Sequence, residues 1–145
     1  MTNVEHPDYV LDSFALLAYL QDELGAVQVT RVLDSGQAKE AAVWMSIVNL
    51  AEVLYIVERK HGLDKTLETI GTIDKLPLQV VDVHRTRAFS AAHIKAQHAL
   101  SLADAFAVAL AKEKNALLVT GDPEFEAVAK EITIEWLPRK KSTAS

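Results

Sequence analysis

Four acids interrupt sequence that is otherwise built to be buried or to end a strand, and their chemistry is the starting point. Asp12 follows Tyr-Val-Leu and precedes Ser-Phe-Ala-Leu-Leu-Ala-Tyr-Leu, so it stands where an apolar strand gives way to a helix. Asp122 repeats the arrangement after Leu-Leu-Val-Thr-Gly and before Pro-Glu-Phe. Asp is a good N-cap, and Pro123 suits a first helical position, so helix capping alone explains either one. Glu52 lies within Ile47-Val-Asn-Leu-Ala-Glu-Val-Leu-Tyr-Ile-Val57, a stretch apolar almost all round and therefore read as a buried helix. Asp104 sits in Leu102-Ala-Asp-Ala-Phe-Ala-Val-Ala-Leu-Ala111, three residues after Ser101, the spacing of a capping box.

Each acid has an ordinary explanation; together they share one physical need. Desolvating a carboxylate costs several kcal/mol unless a partner or cation compensates. Carboxylates gathered in one pocket raise one another's pKa, and a hard divalent cation reverses that balance. Magnesium, which takes oxygen ligands and keeps several waters, suits such a set.

The elements that would position these acids alternate strand and helix. Strands are expected at Tyr9–Leu11, Val43–Met45, Leu78–Val81, Leu117–Val119 and Ile132–Trp136. Apolar runs of this kind fit a parallel sheet covered by helices on both faces. Helices are expected at Ser13–Leu24 and at Ala26–Ser35 with Gly36 closing it, then at Ile47–His61, which ends in Arg59, Lys60 and His61 before Gly62. A further helix should present Leu63, Leu67, Ile70 and Ile73 on one face. Arg85–Gln97, Leu102–Lys114 and a short helix over Phe125–Ala129 complete the pattern. The fold class is α/β, and both Asp12 and Asp122 fall at the carboxyl ends of strands, where open parallel sheets bind ligands.

With 145 residues, half of them hydrophobic, the chain suits one domain, taken as residues 1–138, followed by a basic and polar tail over 139–145 expected to be disordered. It has no cysteine, which excludes disulfides, thiolate zinc sites and a cysteine nucleophile. No secretory signal or membrane-length segment is evident, so a cytoplasmic location is expected. The net charge of −5 opposes a domain coated in nucleic acid, although setting aside the four acids leaves acids and bases nearly balanced.

Ser13 and Thr120 place hydroxyls beside the strand-end acids, and Asn49, one turn before Glu52, is read as satisfying either Glu52 or the helix start after Ser46. For gripping an anionic substrate the available cations are Arg85, Arg87 and Lys95, with Lys112 and Lys114 on the next helix; a solvated helix face predicts the same residues. His93 and His98 are five apart and do not share the face a zinc pair would need. His61 reads as helix-end chemistry, His6 and His84 have no evident partner, and Trp44 and Trp136 are expected in the core.

A strand-end Asp in YVLDSFALLAYL, a mid-helix Glu in SIVNLAEVLYI, a helical Asp in LSLADAFAVALA and a strand-end Asp in LLVTGDPEF resemble, in this order and over almost the whole chain, the PIN-domain family, most closely its compact VapC-type toxins of toxin–antitoxin pairs. The resemblance implies a PIN-like three-layer sandwich with a five-stranded parallel sheet in the order 3-2-1-4-5. It implies that Asp12, Glu52, Asp104 and Asp122 form a magnesium or manganese site for endoribonuclease chemistry, with Asp12 and Asp104 as direct ligands, Glu52 or Asp122 orienting the attacking water, and a 5′-phosphate and 3′-hydroxyl as products. It further implies a homodimer and a small antitoxin partner that places a segment in the cleft.

Other readings use the same residues. A haloacid-dehalogenase-like aspartyl phosphotransferase wants a second Asp where this chain has Phe14. A receiver-like domain wants an acidic pair beside Asp12, although Asp82 follows the third strand as its phosphorylated Asp would. The remaining alternative is a catalytically silent PIN-like interaction module. A dinucleotide fold lacks its G-x-G-x-x-G loop here.

Overall fold

The structure is a computed structural model and describes residues 7–138; His6 and the tail over 139–145 lie outside the described residues. In chain order the elements are β1 (Tyr9–Leu11), α1 (Ser13–Leu20), α2 (Ala26–Gln37), β2 (Val43–Ser46), α3 (Ile47–His61), α4 (Leu63–Asp74), β3 (Gln79–Val81), α5 (Arg85–Gln97), α6 (Leu102–Lys114), β4 (Leu117–Thr120), a 3-10 helix (Pro123–Val128) and β5 (Ile134–Trp136). The strands form one five-stranded sheet in the order β3-β2-β1-β4-β5, parallel throughout, as expected.

Alternate residues of the short strands feed opposite layers. Val10 and Leu118 pack with Ala91, Ile94, Ala105, Val108 and Leu110, so α5 and α6 cover one face. Leu11, Val43 and Val119 pack with Ala15, Val29, Val32 and Leu33 of α1 and α2 on the other. Met45 continues that layer into Leu16, Val53, Val57 and Ile73 of α1, α3 and α4. The run of small side chains in α6 lets that helix lie close to both β1 and α5, and Ala105, Ala107 and Val108 are fully buried.

Several boundaries differ from the sequence expectation for local reasons. α1 stops at Leu20 because Asp22 adopts φ 50, a left-handed conformation that Asp tolerates and a helix does not continue through. Gly36 lies inside α2 rather than closing it; a Cβ there would meet the Pro77 carbonyl oxygen at 3.0 Å and Val43 Cγ2 at 3.1 Å, so glycine permits the close approach of helix and strand. The short helix is a 3-10 turn that starts earlier, at Pro123, and β5 begins at Ile134.

The inward face of α4 is Thr66, Thr69 and Ile73, whereas Leu63 and Leu67 are 58% and 57% exposed. The two threonines can be buried because their hydroxyls donate to the carbonyls of Gly62 and Lys65 one turn earlier. α3 is likewise less enclosed than its composition predicts: Ile47 and Tyr55 are exposed and Glu52 is only half-buried. Trp44 packs against the core with Lys114 above its ring, but Trp136, expected inside, is 36% exposed.

Candidate metal centre

β1 and β4 run side by side, with Leu11 paired to Val119, so both strands deliver their last residues to one end of the sheet. Strand order turns back there, since β1 leads outward to β2 on one side while β4 flanks it on the other.

Asp12 leaves β1 as the N-cap of α1, its Oδ1 accepting from Ala15 N–H at 2.8 Å. Its Oδ2 accepts from the Thr120 hydroxyl at 2.5 Å. Thr120 Oγ1 in turn accepts from Asp122 N–H at 3.0 Å, so one hydroxyl ties the carboxylate after β1 to the backbone after β4. Asp122 caps the 3-10 turn, accepting from Glu124 N–H at 2.9 Å. Gly121 leaves room between them: a Cβ there would overlap the edge of the Phe14 ring at Cε1, so the aromatic ring next to Ser13 rests directly on this backbone. Capping and site formation are therefore one geometry.

Asp104 enters from the first turn of α6, its N–H donating to Ser101 Oγ at 3.1 Å, and its side chain is buried. Carboxylate oxygens of Asp104, Asp122 and Glu124 lie within 4.8 Å of one another. Glu52, from α3, is near enough to repel Asp104. The four acids singled out in the sequence thus converge, and Glu124 joins them. Exposed and following Pro123, Glu124 posed no burial problem that would have marked it; its only sequence signal is its place two residues after Asp122.

The electrostatics are those of acids without a counter-charge. Burial pushes Asp12 up to about 7 despite its two hydrogen bonds, with Asp104 and Asp122 adding to the rise. Asp104 is also pushed up to about 7, first by burial, then by Asp122, by a hydrogen bond shared with Glu124 and by Glu52. Among the described residues no Lys, Arg or His forms an ion pair with any of the five.

The supporting residues fall close by. Ser13 Oγ donates to the Asn49 backbone carbonyl at 3.1 Å, and the Asn49 amide donates to the Ala103 carbonyl at 3.1 Å, so Asn49 serves neighbouring helices and neither Glu52 nor its own helix start. Ser46 caps α3 instead. The cations have other engagements: Arg87 forks onto Glu113, Lys95 donates to the Leu100 carbonyl, and Arg85 lies over Phe89. His84 does have a partner, its Nδ1 accepting from Arg87 N–H at 3.4 Å, and His98 pairs with Glu131 at 2.6 Å.

A sequence model of the PIN domain matches residues 9–131, which include all five acids. The chain belongs to the PIN-domain family. No curated protein matches it in sequence. Among solved structures, this PIN domain is similar to VapBC from Salmonella typhimurium (19% identity, 89% of this chain and 97% of that one, TM-score 0.71). It is also similar to VapBC2 from Rickettsia felis, bound to a DNA fragment from its promoter (18% identity, 90% and 98% covered, TM-score 0.69). A third is VapC20 from Mycobacterium tuberculosis, described as a toxin that cleaves the sarcin–ricin loop (18% identity, 90% and 100% covered, TM-score 0.68). At these identities the likeness is one of fold.

The donor set fits a hard divalent cation. All five side chains offer carboxylate oxygen, the type magnesium and manganese take. The two raised pKa values mark carboxyls whose ionised forms gain most from added positive charge.

Proposed function

We propose that this PIN domain, residues 1–138, is a magnesium- or manganese-dependent endoribonuclease and the toxin of a type II toxin–antitoxin pair, acting in the cytoplasm. The observation that carries the reading is the convergence of five carboxylates, two of them held near 7, with no ion pair to a protein cation among the described residues. Asp12, Asp104, Asp122 and Glu124 would hold the ion, with Glu52 at the rim. When bound, the cation supplies charge to a nonbridging phosphate oxygen and acidifies water.

The chain's own residues set the rest. Asp12 is oriented by hydrogen bonds from Ala15 N–H and the Thr120 hydroxyl, one on each carboxylate oxygen. Glu52, half-buried and on a different helix from the other acids, or Asp122 would accept a hydrogen bond from the attacking water and orient it in line with the scissile bond. Thr120 keeps the Asp12 and Asp122 segments in register. Hydrolysis leaves a 5′-phosphate and a 3′-hydroxyl. Arg85 and Lys95, together with Arg87 to the extent Glu113 releases it, supply positive charge for the RNA backbone.

Similar structures include a toxin–antitoxin complex and a member of the VapBC family of toxin–antitoxin systems, and the exposed apolar side chains Leu24, Val27, Tyr55, Leu63 and Leu67 would provide surface here for an antitoxin helix and a second copy of the chain. Among the described residues no helix is long and apolar enough to cross a membrane.

The test is cleavage of mixed RNA by purified protein with and without Mg2+ or Mn2+, beside Asp104→Asn. Cleavage should require the ion and fall by more than about 100-fold in the variant, beyond the loss expected for a mere supporting partner. Undiminished cleavage by the variant, or in chelator, contradicts the assignment.

A further inference from the structure

Asn49 is fully buried, yet it is polar and lies on the face of α3 turned toward α1 and α6. Its Nδ2 donates at 3.1 Å to the carbonyl of Ala103, the residue before Asp104, and at 3.4 Å to Oγ of Ser13, the residue after Asp12. Ser13 Oγ returns a hydrogen bond to the Asn49 backbone carbonyl at 3.1 Å, closing the link in both directions. Glu52 follows Asn49 by one turn of the same helix. One amide thus touches the first turns of α1 and α6, and each contact is made beside a residue that carries a carboxylate.

We propose that Asn49 is a positioning residue that clamps α1, α3 and α6 together and so sets the spacing of Asp12, Glu52 and Asp104. The inference rests on the metal-dependent reading of those acids for its consequence, though not for its geometry. Three observations support it. Carboxylates that repel one another across a buried gap push their helices apart, and within this group of helices the clamp supplies the polar ties from α3 to both of the others. A residue kept only for packing would be apolar here, because the second amide atom, Asn49 Oδ1, is buried with no partner among the described residues. Such an orphan acceptor is destabilising, and the clamp accounts for a polar residue that a hydrophobic contact alone would not retain. Thr120 and Gly121 already fix the Asp12 and Asp122 segments to each other, whereas among the described residues the side-chain hydrogen bonds that link α1 and α6 run through Asn49.

The experiment uses the full chain and two variants. Asn49→Leu keeps the number and branching of side-chain heavy atoms and removes both N–H donors; Asn49→Asp keeps the shape and replaces the donor with a charge. Two readouts are taken on folded protein at the same temperature: local amide exchange without metal, and Mn2+ affinity by titration. The clamp predicts faster exchange in both variants at the starts of α1 and α6 together, with the β-sheet and α2 unchanged, and Mn2+ binding weakened by about 10-fold or more, the range seen for residues that orient ligands. Raising Mn2+ should then restore much of the RNA cleavage, as expected when ligands are loosened and none is lost.

Exchange that is unchanged at α6, or that rises uniformly over the protein, overturns the clamp, as does full Mn2+ affinity in a variant whose two helix starts have loosened. If the wild type binds no Mn2+ and cuts no RNA, the metal-dependent reading fails, and exchange alone then decides whether Asn49 ties the helices. Should Asn49→Leu fail to fold, Asn49→Ser, which keeps a shorter hydroxyl donor, is measured by the same two readouts.

Discussion

The two ends of α6 carry acids with opposite fates. At its C-terminal end Glu113 is partly exposed and grasped by Arg87 through two hydrogen bonds of 2.9 and 2.8 Å, with Lys114 nearby at 3.5 Å. Arg87 holds its carboxyl below the usual range. At the N-terminal end Asp104 is buried among other acids and pushed up to about 7. The helix dipole works in the other direction, favouring the ionised form at the N-terminus by about 0.3–1 kcal/mol. The rise from 3.8 to about 7 caused by burial and like charge is, at roughly 1.4 kcal/mol per unit, larger than that contribution. An acid whose counter-charge is built into the chain stabilises the fold. One whose neighbours are all acids leaves the counter-charge to come from solution.

That contrast can be sharpened by changing one end at a time. Asp104→Asn at the N-terminal end should abolish most RNA cleavage. Thr120→Val removes the hydroxyl that binds Asp12 and leaves every carboxylate in place; Mn2+ affinity should fall about 10- to 100-fold, as for other residues that orient metal ligands, read by titration calorimetry. At the C-terminal end, Arg87→Ala breaks a largely surface ion pair, for which a stability loss of about 0–1 kcal/mol in urea unfolding is expected. Mn2+ affinity should be unchanged in that variant. A large loss of Mn2+ affinity there would mean that the two ends are coupled and the comparison fails.

The sequence showed most of this arrangement, for reasons that differ by element. The strands were legible because each is a short apolar run, and Asp12 and Asp122 because they end two of them. Asp104 stood out as the one charge in the alanine-rich stretch Leu102–Ala111. The order of the strands followed only from the family resemblance, since no local pattern says that β1 pairs with β4. Glu124 was missed because an exposed acid after a proline poses no puzzle until the 3-10 turn brings it back to Asp104. The tie made by Asn49 was misassigned because its partners lie 36 and 54 residues away. α4 inverted the expectation because threonines bonded to their own helix can be buried while leucines remain outside.

The central claim is that these carboxylates are assembled at a cost that an added dication relieves, and pH-dependent stability measures it directly. In the metal-free protein Asp12 and Asp104 have pKa values of about 7, above their ordinary values near 3.8. Between those limits the folded chain binds protons that the unfolded chain has released, so stability must fall as pH rises from about 4 toward 7 and level off above it. Thermal unfolding is therefore followed across that range in chelator and in Mn2+. The account predicts a midpoint that drops with pH in chelator and is restored by Mn2+ above neutrality, more strongly at pH 8 than at pH 5. A midpoint flat or rising between pH 5 and 7 without metal, and unmoved by Mn2+ at pH 8, would contradict it.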